Sequence, residues 1–392
     1  MRSSLIILFI SIFFNAGARG QEKSKIVVLG VTHSMQLVNP KQQPAILRTF
    51  FDRVDPKALC IESTPEQYLQ SNFYEFTYEQ QFCLIPYAKK KNIPIHPFDW
   101  WPENEDMRIA LGFTDAEYPA FTRRANGFQG FLYFEDSSIF KNDLYYAENE
   151  KEKKEISDWY VSYPAEMQYD FPRRLFLYRT FLQAMYIKKT AEQYPGDTIL
   201  AVVGSYHKED LEKILGAHGF TIIDPKKFGV FSSPDIETNY LIEDAYAIAS
   251  FNLLGLQSTT VFRDSVFLKK ALSVLEKERT AETKLFSIRY KLLYHHINSA
   301  QAIEEYRKVL TGLSKENKFT WTGVKNMQRI DSYFDPFGNM TVWQRSQLEL
   351  AREYFATGDR INYTKTKEIL ENEFTGLKKS LLREYMKIYL EK

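Results

Sequence analysis

The chain has 392 residues, 44% hydrophobic and 26% charged, which suits two or three globular domains and a core that needs no covalent staples. Its 51 basic and 50 acidic residues leave a formal charge of +1, which argues against wholesale electrostatic binding of nucleic acid. Two cysteines, Cys60 and Cys83, exclude a disulfide scaffold and a cysteine-rich zinc module. Cys60 lies in an apolar run and is expected as a buried free thiol, although sequence separation alone leaves pairing with Cys83 open.

In chain order, residues 1–20 read as an export signal. Arg2 supplies the positive start, Leu5–Phe14 the apolar run, and Ala16-Gly17-Ala18 or Ala18-Arg19-Gly20 the small-residue cleavage site. The run is shorter than the ~20 apolar residues of a membrane span, and no later segment is long enough. The expectation is an exported protein, periplasmic or secreted, with no transmembrane segment after signal removal.

From residue 21 to about 245, apolar runs alternate with helical patterns. Lys25–Leu29, Ala58–Ile61, Ile93–Phe98, Thr198–Val203 and Phe220–Ile223 read as strands. Pro94 and Pro97 push the third towards a sheet edge. Helical stretches at Pro44–Arg53 and Leu175–Gln193 intervene, so the expected fold is α/β, a mainly parallel sheet with flanking helices. An aromatic insertion at about 100–170 carries Trp100, Trp101, Phe128, Phe131, Tyr133, Phe134, Tyr145, Tyr146, Trp159 and Tyr160. It reads as a satellite hydrophobic cluster or as a wall for an apolar substrate.

Beyond about 246, strand signals vanish. Val266–Glu278, Glu282–His296, Ala300–Leu310, Val342–Phe355 and Tyr363–Lys392 read as helices, and the expectation is an all-helical C-terminal region over 246–392. This region holds 24 basic and 17 acidic residues, a net +7, whereas residues 21–245 carry a net −8. Solvated helix faces account for the split; so does docking between the halves, or a surface that recruits a protein partner.

The chemistry collects where strands end. Gly30-Val31-Thr32-His33 closes the first, Glu62 the second, and Asp99, preceded by His96, the third. Gly204-Ser205-Tyr206-His207 closes the Thr198–Val203 strand. In a parallel sheet these ends share one edge, where ligands bind. The glycines are read as points where the backbone turns out of the strand. His218, His295 and His296 lack this placement and read as surface or helix-packing residues.

The two G-x-x-H segments, with Glu62 closing Leu59-Cys60-Ile61-Glu62, resemble the paired GxxH signature of the TraB/TIKI/erythromycin-esterase-like superfamily. Asp99 resembles the aspartate that follows the third strand there, and Arg179 the arginine of the helix before the second GxxH. The likeness spans roughly residues 25–230. Val31-Thr32 departs from the more usual Thr-Ala pair, and the helical half has no counterpart. The resemblance implies an α/β core and a hydrolase-like site, its members including metal-dependent proteases and macrolide esterases.

Two mechanisms suit these residues. In one, His33, Glu62 and His207 hold a divalent metal with an open position for water, and Asp99 ligates or orients an imidazole. In the other, His33 is a general base steadied by Glu62 or Asp99, and Arg179 stabilises the oxyanion. The absence of H-E-x-x-H and of G-x-S-x-G argues against a zincin and a serine hydrolase. The substrate is then a small molecule or a peptide. The competing readings are a non-catalytic binding or regulatory protein with the same crevice, and metal or haem capture.

Overall fold

The computed structural model describes residues 22–73, 77–101, 134–135, 137–161, 171–321 and 340–390. The expected leader at 1–20 lies outside them, as do Phe128, Phe131 and Tyr133, and the side chain of Tyr160.

Five parallel strands form one sheet. They are β1 (Lys25–Val31), β2 (Ala58–Ile61), β3 (Ile95–Pro97), β4 (Thr198–Gly204) and β5 (Thr221–Ile223), in the order β3-β2-β4-β1-β5. The central β1, β2 and β4 were legible as unbroken apolar runs because a central parallel strand buries both faces, while the edge strands β3 and β5 are only partly buried. β3, with its proline, lies at the edge, where a missing N–H breaks no ladder.

Alternate residues of each strand feed two cores. Val27, Leu29, Leu59, Ile61, Leu200 and Val202 pack against α1 (Pro44–Val54) and the 83–88 stretch leading into α3 (Ile85–Lys90), past the short α2 (Pro65–Gln70). Ile26, Val28, Cys60, Ala201 and Val203 pack on the other side. That side is covered, after α4 (Glu150–Val161), by α5 (Phe171–Ala191) and α6 (Ser205–Ala217). The chain leaves β1 through α1 towards β2, and leaves β4 through α6 in the opposite direction towards β5. The carboxyl ends of adjacent β1 and β4 are therefore a topological switch point, where open α/β sheets form their ligand crevice.

After α7 (Ser233–Thr238), α8 (Ile242–Ala249) crosses the position where the strand-bearing part was expected to end. The helices that follow are α9 (Ser265–Leu275), α10 (Ala281–Leu293), α11 (Ser299–Leu310), α12 (Val342–Ala356), α13 (Arg360–Glu371) and α14 (Gly376–Tyr389). The expected Tyr363–Lys392 helix is two helices, parted at residues 372–375, with Gly376 in the left-handed region at φ 54°. This region is continuous with the first: Met35, Leu37, Val38 and Tyr78 share a core with Phe251, Phe286 and Tyr385. Asn252 Nδ2 donates to the Leu37 carbonyl at 2.7 Å.

Cys60 and Cys83 are buried free thiols in the cores on opposite sides of the sheet. Burial pushes each up to about 12. Among the described residues no helix is long and apolar enough to cross a membrane.

Candidate functional site

The register sets the site. Val31 pairs with Gly204 and Ile61 with Val202, so the residues after β1, β2 and β4 emerge side by side. The Phe98 and Asp99 amides bond the Ile61 and Ser63 carbonyls at 3.0 Å, which brings Asp99 beside Glu62. His33, Glu62, Asp99, Arg179 and His207 thus meet in one buried cluster.

The glycines act differently from the expectation. Gly30 lies inside β1, and Gly204 ends β4 at φ −55°, a conformation open to any residue. Close approach is what excludes a side chain. A Cβ on Gly204 would stand 3.0 Å from His33 Nε2, and one on Gly30 2.9 Å from the Ala147 Cβ. The Gly204 amide donates to Glu62 Oε2 at 2.7 Å.

Glu62 is the hub. Its Oε2 lies 3.5 Å from His33 Nε2 and its Oε1 3.5 Å from His207 Nε2. Arg179 Nη2 donates to Oε1 at 2.9 Å. Burial raises the Glu62 pKa, and Asp99 adds to the rise, while Arg179, His33 and the Gly204 amide oppose it. Arg179 also grips Asp99, through Nε to Oδ1 at 2.8 Å and Nη2 to Oδ2 at 2.7 Å, the two-pronged geometry that suits guanidinium and carboxylate. Gln183 Nε2 donates to Asp99 at 2.7 Å, and the Trp101 ring lies 4.2 Å from the guanidinium.

The two histidines are held in opposite ways. His33 Nδ1 bonds Glu79 Oε1 at 2.7 Å, and Glu79 Oε2 accepts the Ser34 amide at 3.3 Å. Burial disfavours the charged imidazole, but Glu79 and Glu62 outweigh it and Arg179, so its pKa is raised. His207 Nδ1 bonds Thr180 Oγ1 at 2.6 Å, and Thr180 donates to the Phe176 carbonyl at 2.9 Å. That hydroxyl therefore accepts from Nδ1–H, which leaves Nε2 to accept from Arg179 Nη1 at 2.9 Å. Phe176 stacks flat on the imidazole, centroids 4.0 Å apart. Burial first, then the charge of Arg179, drives the His207 pKa well below its ordinary value, so it stays neutral.

A divalent metal does not fit this donor arrangement. The Arg179 guanidinium already bonds His207 Nε2 and Glu62 Oε1, setting a cation against two of the three expected ligands. Among the described residues no three His, Cys, Asp or Glu side chains are grouped to hold a metal ion.

Sequence reasoning missed Glu79, Phe176, Thr180 and Gln183. The last three had a readable signal: with Arg179 they form an i, i+3, i+4, i+7 stripe on α5, continued by the apolar Ala184, Ile187 and Ala191. Glu79 had none, because it opens a π-helical turn, Glu79–Leu84, of a kind frequent at functional sites. His96 bonds the Tyr194 hydroxyl at 2.9 Å, while His218, His295 and His296 are exposed. No family model, curated protein or solved structure matches this chain.

Proposed function

We propose that this chain is an exported hydrolase that activates water at His33 without a metal. The observation that carries the reading is the alignment Glu79–His33–Glu62 at the switch point. Glu79 accepts a hydrogen bond from Nδ1–H at 2.7 Å, and Nε2 faces Glu62 beside the side-chain-free Gly204. A water hydrogen-bonded to Nε2 gives its proton to His33 as it attacks the substrate carbonyl. Glu79 stabilises the imidazolium that forms, and His33 returns the proton to the leaving group. Histidines driven apart in pKa by their surroundings divide the labour: His33 exchanges protons, and neutral His207 positions Arg179. Arg179 offsets the carboxylates around it and puts a positive charge near the developing oxyanion. The resemblance to the paired GxxH superfamily supports the same reaction class but does not select a substrate.

The second reading, a binding or regulatory protein, is favoured by one observation: Arg179 is bonded to Asp99, Glu62, His207 and the Trp100 carbonyl, a network that rigidifies the crevice. One experiment separates the readings. Wild type and His33→Ala are assayed on a panel of activated esters and peptides, with bound metal measured on the same preparations. The expected result is metal-independent turnover that falls by roughly 10²–10⁴-fold in the variant. Undiminished turnover in a folded His33→Ala protein overturns the base assignment. Stoichiometric metal lost with His33 would restore the metal mechanism, and metal or haem without turnover would point to capture.

A further inference from the structure

The helical region holds a second buried cluster of charge, and its balance is positive. On α12, Arg345, Glu349, Arg352 and Glu353 stand at i, i+4, i+7 and i+8, one stripe of the helix. Three guanidinium groups converge on Glu349. Arg345 Nη2 lies 2.9 Å from its Oε1, Arg289 Nε of α10 lies 3.3 Å from its Oε2, and Arg352 Nη1 lies 4.0 Å from the same Oε2. The Tyr389 ring of α14 packs against two of them, 4.8 Å from the Arg345 guanidinium and 4.7 Å from that of Arg352. Its hydroxyl donates to Glu349 Oε1 at 2.7 Å. The second carboxylate, Glu353, lies 3.6 Å from Arg289 Nη1.

Three positive charges thus face two negative ones. Burial works against the Glu349 carboxylate, yet the three arginines bring its pKa below the ordinary value, so it is ionised and its charge is already counted. Arg263 adds a fourth cation to the same field: burial lowers its pKa, and Arg289 and Arg352 push the same way against Tyr294. Donors are left over as well. Arg289 Nη2, Arg352 Nη1 and the Tyr306 hydroxyl are buried and make no hydrogen bond among the described residues. Arg289 and Tyr306 are wholly enclosed, at 1% and 0% exposure. A charged donor kept dry and unpaired is the costliest kind. Arg289 Nε and Arg345 Nη2 do bond the Leu253 and Leu254 carbonyls, which explains why arginines stand here but not why their charge is in surplus.

Water can pair such donors but cannot answer the charge; an anion does both. Planar guanidinium N–H groups match the oxygen spacing of an oxyanion better than they match a halide. We infer that Arg289, Arg345 and Arg352 bind a small oxyanion of the phosphate class inside the helical region. Arg352 keeps 22% of its side chain exposed, against 2% and 0% for Arg289 and Arg345, so the anion enters past Arg352. The occupant acts as a clasp. The 242–254 stretch gripped by Arg289 and Arg345 also carries Asn252, which bonds the Leu37 carbonyl four residues beyond His33. The site is independent of the hydrolase reading.

The test uses the full chain, exchanged into phosphate-free buffer. Titration calorimetry with inorganic phosphate at fixed ionic strength should show one saturable site. The unfolding midpoint should climb with phosphate and not with sodium chloride of matched ionic strength. Arg352→Gln, which changes the least buried of the three, should weaken phosphate binding at least tenfold. Lys365→Gln removes the same charge from an exposed position on α13 and should change nothing, which separates net charge from the site. Glu353→Gln removes a competing carboxylate and should tighten phosphate severalfold, a gain that a purely structural cluster would not show. Circular dichroism checks the fold of each variant. Equal midpoints in phosphate and chloride mean that water alone meets the donors, and overturn the site. So does unchanged affinity in folded Arg352→Gln, an equal loss in Lys365→Gln, or a folded Glu353→Gln that binds no tighter. Should Arg352→Gln fail to fold, Arg352→Lys keeps the charge and loses the planar fork; it should still weaken phosphate, and unaltered affinity there also overturns the site.

Discussion

His33 and His207 stand equally far from one carboxylate, 3.5 Å in each case, yet their pKa values move in opposite directions. The difference is the neighbour on the second nitrogen or at the shared one: Glu79 bonds His33, whereas Arg179 donates to His207. Each shift is also a statement about stability. His33, raised above the ~6.5 of an unfolded histidine, contributes stability that is fully present below that pH and is lost as pH rises through its folded value. His207, lowered, contributes stability present above ~6.5 and lost as pH falls towards its folded value. Denaturant unfolding across pH should therefore show the advantage of wild type over His33→Gln shrinking on the alkaline side. The advantage over His207→Asn should shrink on the acid side, and the reverse pattern would contradict the assigned partners. Glu79→Gln keeps an acceptor but removes the charge facing the imidazolium. A hydrogen bond to a charged group is worth ~1.5–3 kcal/mol, so turnover should drop roughly 10–100-fold. The rising, acid-side limb of the pH–rate profile, set by deprotonation of His33, should move to lower pH, which a purely structural role for Glu79 would not produce.

Between elements, one fully buried tie is ionic. Arg48 of α1 pairs with Asp244 of α8, and both are almost wholly buried. Arg48 Nε also donates to the Asn239 carbonyl at 2.9 Å, and its Nη1 bonds Cys83 Sγ at 3.5 Å. Burial raises the Asp244 pKa, and the Arg48 guanidinium opposes that rise by charge and hydrogen bond. Removing one partner strands the other charge without water. Asp244→Ala should cost about 3–5 kcal/mol in chemical denaturation, far more than loss of an exposed pair such as Lys154–Asp158. A cost under ~1 kcal/mol would show that water reaches Arg48. At the far end of the chain, Arg289 and Arg345 converge on Glu349, and Arg289 Nε bonds the Leu253 carbonyl at 3.2 Å. These arginines satisfy carbonyls left open where the 242–254 helical stretch stops, the usual need of a helix end.

At the scale of the whole molecule, the helical region is a structural cover as well as a C-terminal addition. Met35, Leu37 and Val38 follow His33 directly, and they are buried against α8 and the helices after it. A chain ending at residue 245 would expose that surface. Such a fragment, 22–245, is expected to bind a hydrophobic dye, to lose near-ultraviolet circular dichroism and to melt without cooperativity. A sharp unfolding transition of the fragment would show that the first region folds alone. The opposite net charges of the two regions, −8 and +7, suit a joined pair, but the contacts between them are mainly apolar, with the buried Asn252–Leu37 hydrogen bond as a polar tie.

The amino-acid sequence by itself determined the strands and what stands at their ends. A buried parallel strand has to be a nearly unbroken apolar run, so the first polar residues after it mark the carboxyl edge; His33, Glu62, Asp99 and His207 were legible for that reason. Arg179 was singled out by the resemblance to the paired GxxH signature, because its place on the helix leading into β4 does not by itself distinguish it from Arg173 and Arg174. Tertiary structure alone decided that β4 lies between β1 and β2, which sets Glu62 within reach of both histidines. It alone brought in Glu79, 46 residues from His33, from a π-helical turn that has no sequence period of its own. And it turned Arg179 onto His207 and Glu62, so that residues which read as a metal-ligand set meet a guanidinium instead. Strand order and side-chain pairing across a crevice are set by long-range packing, which local spacing does not encode.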